Sequence, residues 1–146
     1  MGEKRYFTIE EANSLIPALE IHFSKVMQLR AQLRVGYDQL EKLGAPPTVE
    51  TLDLDSGPPD VQRARGRFRG LMEALTEELN AIEQTGVQVK DLDIGLCDFL
   101  GQREGREVWL CWQYGEKQVG FWHDLESGFA GRQPLENVEP PRRLLH

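Results

Sequence analysis

From residue 9 to residue 43 the apolar side chains recur in steps of three and four, at Ile16, Leu19, Phe23, Val26, Leu33, Tyr37 and Leu40. That spacing is the period of one helix face. It keeps a heptad-like seam for about three and a half repeats. Arg30 is the single polar occupant of the seam, and Leu29 beside it can supply the missing packing. Thr8 and Glu11 have the spacing of a capping box, so the helix should begin there. Gly44 should end it, and Pro46-Pro47 forbid its continuation. Pro17 falls inside the pattern and predicts a bend or a broken first turn. Such a helix is roughly 50 Å long at the α-helical rise. It therefore needs a partner along its length.

Residues 61–84 supply that partner. Val61, Ala64, Phe68, Leu71, Leu75, Leu79 and Ile82 again step by three or four. Asp60 is the expected N-cap, and Gly86 suits the position just past the C-terminus. Gly66 and Gly70 share a face, which either weakens the first turns or allows close helix contact. Arg63, Arg65, Arg67 and Arg69 split into two i,i+4 pairs on different faces, whereas a nucleic-acid groove wants one basic face. Solvated arginines pairing with acidic neighbours are the favoured reading. The connection, residues 45–59, is long for two adjacent helices, and its Pro, Gly, Asp and Thr point to a mobile linker.

Past Gly86 the period drops from 3.6 to 2. Strands are expected near Gln88, at Ile94–Leu100, at Glu107–Gln113 and at Val119–His123, joined by turns at residues 101–105 and 114–117. Consecutive hairpins make an antiparallel meander. In Val108-Trp109-Leu110-Cys111-Trp112 both alternating faces are apolar, although a sheet with one wet face should show a polar residue at every second position. Both faces should therefore be covered. The fold class that follows is α+β: a long antiparallel helical hairpin, then a small three- to four-stranded antiparallel β-meander. One domain is expected over residues 1–135, with helices at 9–43 and 61–84, the meander at 87–123, a Gly-rich turn at 128–132, and a tail at 136–146.

Several blocks resemble the bacterial family of uncharacterised proteins called DUF2203. They are Tyr6-Phe7-Thr8-Ile9-Glu10-Glu11-Ala12-Asn13, residues 89–99 (VKDLDIGLCDF), residues 105–112 (GREVWLCW), and Gly120-Phe121-Trp122-His123 through residues 128–135 (GFAGRQPL). Leu100 stands where that family typically has Pro. The resemblance brings no established activity and implies only a domain running from about Tyr6 to Leu135.

The composition narrows the classes of function. Hydrophobic residues make up 40% and charged residues 28%, the mix of a folded domain rather than a disordered chain. A net charge of −7 gives no general attraction for phosphate backbones or anionic lipids, so neither nucleic acid nor a membrane is expected as partner. No stretch approaches the roughly 20 apolar residues of a membrane span. The start has no secretory core, and the only cysteines, Cys97 and Cys111, form no scaffold pattern, so a cytoplasmic location is expected.

A few residues can carry chemistry. Asp98 lies within an apolar strand; buried, it must be paired. It either pairs with Arg106 or Arg132, caps a turn, or orients a histidine. His123 ends the last strand beside Asp124 and Glu126 and could act as a base or, with Asp or Glu ligands, as a metal ligand. No second His or Cys lies at metal-ligand spacing, so no metal and no cofactor is expected. Arg132, in a Gly-rich turn, can fork onto an anion or sit in a plain salt bridge. Cys97 and Cys111 face each other only if the first hairpin centres on Glu104, and buried, inert thiols are favoured. Trp109, Trp112 and Trp122 belong to the core or, in the minority reading, line a pocket.

Two functional readings follow. The favoured one is a non-catalytic homodimer that binds a partner or ligand, its hairpins joining as a four-helix bundle. The other is a small enzyme acting on an anionic small molecule, with His123 as base, Asp98 as orienter and Arg132 as anchor. In that reading Asp93, Trp112 and Trp122 line the binding cleft.

Overall fold

The computed structural model describes residues 4–135, and the tail expected over 136–146 lies outside the described residues. Two helices, α1 (Ile9–Lys42) and α2 (Pro59–Gln84), precede five strands. These are β1 (Gln88–Asp91), β2 (Leu96–Arg103), β3 (Arg106–Gln113), β4 (Phe121–Asp124) and β5 (Gln133–Pro134). All neighbouring strands pair antiparallel in chain order. The α+β class and the order of elements follow the sequence reading. The fifth strand does not: two residues ending in proline carry no alternation to read.

The chain forms two compact units. Of the described residues, one unit contains 4–20 and 82–135, the other 21–81. In the second unit α1 and α2 run antiparallel. His22 Nδ1 lies 2.7 Å from Glu78 Oε1 near one end, and Leu40 packs with Ala64 and Phe68 near the other. Gly36 faces Phe68 so closely that an added Cβ would stand 3.2 Å from its ring. Gly36, rather than Gly66 or Gly70, is thus the close-approach glycine.

The helix ends show why the chain turns where it does. Thr8 Oγ1 accepts from Glu11 N at 3.0 Å and Glu11 Oε1 accepts from Thr8 N at 2.9 Å, so the capping box forms. At the other end Ala45 N donates to Leu40 O and Gly44 N to Glu41 O, with Gly44 at φ 78, a Schellman cap. Pro17 does not break α1, which is continuous from Ile9. Having no N–H, Pro17 leaves the Asn13 carbonyl without its i+4 donor. α2 begins at Pro59 rather than after Asp60, because proline's fixed φ suits the first helical position.

The 45–59 connection, expected to be mobile, is fastened to α2. Arg65 is buried and donates to the carbonyls of Leu54 and Ser56, while Arg69 donates to Leu52 O and pairs with Asp55. Leu52 packs on the Leu40–Ala64–Phe68 cluster. One i,i+4 arginine pair thus holds the connection and the other, Arg63 and Arg67, is exposed.

In the first unit the start of α1 joins the sheet. Phe7 N donates to Leu100 O at 2.8 Å, its ring meets Phe99 edge-on at 5.2 Å, and Asn13 Oδ1 accepts from Val119 N at 2.7 Å. Phe7 thereby packs at Phe99 on the sheet face that also carries Cys97, Leu110, Trp112 and Trp122. Thr8→Ala should remove the N-cap and cost about 1 kcal/mol. The expected readout is a lower urea midpoint at unchanged slope, and an unchanged midpoint would exclude the cap as a source of stability.

Candidate functional site

The β2–β3 turn decides which side chains of the sheet meet. It spans Glu104 and Gly105, whose φ values of 51 and 81 are the two positive angles of a type I′ hairpin. With this two-residue turn Asp98 pairs with Cys111 and Cys97 with Trp112. The register expected from a loop centred on Glu104, with Cys97 opposite Cys111, is therefore off by one residue. Because side chains alternate, that slip moves a whole set to the other face. The two cysteines lie on opposite faces, both buried and unpaired.

β3 then pairs with β4 so that Trp109 faces His123 and Cys111 faces Phe121. Asp98, Trp109, Cys111, Phe121 and His123 consequently share the face turned away from Phe7. Asp98 Oδ2 and His123 Nε2 are 3.0 Å apart, with both side chains buried. Cys111 joins them: one ligand-capable atom from each of the three lies within 4.8 Å of the others. Asp98 therefore pairs with His123, not with Arg106 or Arg132. Arg106 goes to Asp124 at 2.5 Å.

The hydrogen bonds fix the histidine tautomer. Nδ1 is 2.9 Å from the Asp124 carbonyl oxygen, which can only accept, so Nδ1 carries a proton. A second proton is shared between Nε2 and Asp98 Oδ2. Both ring nitrogens are thus engaged. Asp98 Oδ1 is buried without a hydrogen-bond partner.

Burial raises the Asp98 pKa above the carboxylate range, although His123, Cys111 and Lys90 each pull it back. Burial likewise pushes the Cys111 thiol up to about 12, with the Asp98 charge adding and Arg132 opposing. Cys97 is also pushed up to about 12 by burial, then by the Asp98 and Cys111 charges. Neither thiol is a nucleophile at neutral pH.

Cations on aromatic rings surround the cluster. Lys90 Nζ sits 4.1 Å over the Trp109 ring, and the Arg132 guanidinium lies 4.0 Å over Phe121 and 4.6 Å over Phe129. Arg132 forks onto Glu116 at 2.9 and 3.0 Å, so its charge is already matched, while its buried Nε lacks a partner. Of the expected site residues, Asp98 and His123 are brought together, and Arg132 reaches them through Cys111, by its charge and by a side-chain hydrogen bond. Asp93 lies exposed in the β1–β2 turn. Trp112 and Trp122 are on the opposite face: Trp112 Nε1 donates to Glu116 O, and Trp122 is covered by Arg103 and Arg106. The member that sequence reasoning missed is Cys111, read there as an inert thiol, and of the three tryptophans offered for a pocket it is Trp109 that shares the face of the cluster. The signal that would have found this is the Glu-Gly turn, which sets the register.

Over residues 5–135 the sequence matches the family described as uncharacterized conserved protein (DUF2203), and the chain belongs to that family. No curated protein and no solved structure matches it. Among the described residues no helix is long and apolar enough to cross a membrane.

Two measurements check the electrostatics. In the native protein both thiols should resist an alkylating reagent at pH 8 and react fully in denaturant; rapid native labelling would contradict their burial. For Asp98, the raised folded pKa means that, above the unfolded value of about 3.9, the folded state keeps a proton the unfolded chain has lost. Its contribution to stability is complete below that value and is lost as pH rises through the folded pKa. Wild type should therefore lose stability relative to Asp98→Asn across that window, and parallel pH profiles would reject the assignment.

Proposed function

We propose that this chain is a non-catalytic, cytoplasmic homodimer that binds a small ligand at its sheet and self-associates through its helical hairpin. The observation that carries the non-catalytic reading is the engagement of both His123 nitrogens beside a thiol held at about 12. A general base needs a free lone pair within reach of its substrate, and a nucleophilic cysteine needs its thiolate. The enzyme reading also asked Arg132 to anchor an anion, and Glu116 occupies its fork. Two free, buried thiols support a reducing compartment.

Self-association is supported by the hairpin's incomplete burial. In the second unit Leu33, Leu71, Leu75 and Leu79 are only half-buried, although they belong to the apolar seams. Val35 is 68% exposed and Ile21, two heptads earlier on the same face, is 58% exposed. A groove of about 460 Å³ runs between the helices, lined by Ala31, Val35, Gly36, Phe68 and Leu71 among others. A pair of helices can bury only one stripe of each. A second hairpin packed in two-fold symmetry covers the rest, giving a four-helix coiled-coil bundle.

Light scattering should give the wild type twice the 16.7 kDa protomer mass at micromolar concentration. Val35→Glu should give the protomer mass with unchanged helical circular dichroism. A wild-type protein of 16.7 kDa would remove the dimer.

A further inference from the structure

The Asp98–Cys111–His123 cluster is built of three residue types that share one habit, metal ligation. We propose that these three side chains hold a divalent metal ion of the zinc class, tying β2, β3 and β4 together. This rests on reading the site as one that holds a ligand rather than one that turns over a substrate.

The geometry is close to what an ion needs. One ligand-capable atom from each of the three lies within 4.8 Å of the others, and His123 Nε2 and Asp98 Oδ2 are 3.0 Å apart. Ligand atoms around a tetrahedral zinc stand roughly 3.3–3.8 Å apart, given its bond lengths. Binding would draw the Cys111 sulfur in by up to about 1 Å and open the Nε2–Oδ2 pair by a few tenths of an ångström. The second observation is Asp98 Oδ1, 2% exposed as a residue and without a hydrogen-bond partner. A buried carboxylate oxygen left unsatisfied is costly, and a cation removes that cost. The same oxygen is available as a further donor, since among the described residues no fourth His, Cys, Asp or Glu joins the cluster.

The supporting hydrogen bonds are those a metal-bound histidine uses. Nδ1–H donates to the Asp124 carbonyl and turns Nε2 inward. The charge also balances. One divalent ion displaces two protons, that shared between His123 and Asp98 and the thiol proton of Cys111. A carboxylate, a thiolate and a neutral imidazole then sum with the ion to zero. A mixed sulfur, nitrogen and oxygen set selects zinc or cobalt over magnesium or calcium, which take oxygen alone.

Cobalt(II) provides the test, added to full-length metal-free protein both natively and during refolding from urea. One cobalt per chain is expected, with tetrahedral visible bands and a thiolate-to-cobalt charge-transfer band. Cys111→Ser should abolish the charge-transfer band. Cys97→Ser, on the other face of the sheet, should leave it intact. Asp98→Asn should weaken binding at least about tenfold, a loss of the size seen when even an outer partner of a metal ligand is removed. No cobalt uptake, a charge-transfer band that survives Cys111→Ser, or binding unaffected by Asp98→Asn overturns the proposal. Circular dichroism of each variant confirms folding. Light scattering on the same samples separates this outcome from that of the dimer: a dimeric protein that takes no cobalt refutes the metal alone.

Discussion

Positive φ at both Glu104 and Gly105 closes the β2–β3 hairpin in two residues, and the pairing of two eight-residue strands is counted from that turn. Everything chemical in the sheet is downstream of this count. Asp98 meets Cys111 because their positions are equidistant from the turn, and His123 reaches Asp98 because β4 continues the same alternation. A sheet buried on both sides has no tolerance for a slip, since one residue of shift would place Asp98 among Phe99's neighbours, against Phe7. Glycine after Glu104 is the local chemistry that makes the short turn inexpensive.

The cluster beneath Trp109 and Phe121 is coherent as electrostatics. A buried carboxylate beside a buried thiol is unfavourable for both charges, and both groups respond by holding their protons. His123 relieves the carboxylate on one oxygen only. Lys90 and Arg132 stand at the edge over aromatic rings, where cations lie close without being desolvated alone. Arg132 is tied to Glu116, so it sets the local field rather than waiting for an anion.

Much of the architecture was legible because it is periodic. The stripe from Ile16 to Leu40, the Thr8–Glu11 box and Gly44 mark α1 without reference to anything distant. The double apolar face of β3 correctly signalled burial of Cys111 and Trp112 on opposite sides. The site was legible only in part. Asp98 and His123 stand out as polar residues in apolar strands, but Cys111 looks inert until the register is known. The assignment of Trp112 and Trp122 to the ligand side failed for the same reason, since face cannot be read from a strand whose two faces are equally apolar. The arginines of α2 looked like solvent-exposed surface, whereas Arg65 caps carbonyls of the connecting segment; a long-range carbonyl acceptor has no sequence signal.

The contact between Asn13 and Val119 spans 106 residues of chain. Together with Phe7 on Leu100 it ties the opening residues to the middle and late parts of the sheet. Contacts of that separation close large loops and are gained late, after the locally encoded helices. During synthesis the opening residues of α1 therefore cannot take up their place on Val119 until that residue has been made. The hairpins of the sheet are closed by neighbouring segments, so it is the docking of the opening residues, not the ribbon itself, that waits on a later stretch of chain.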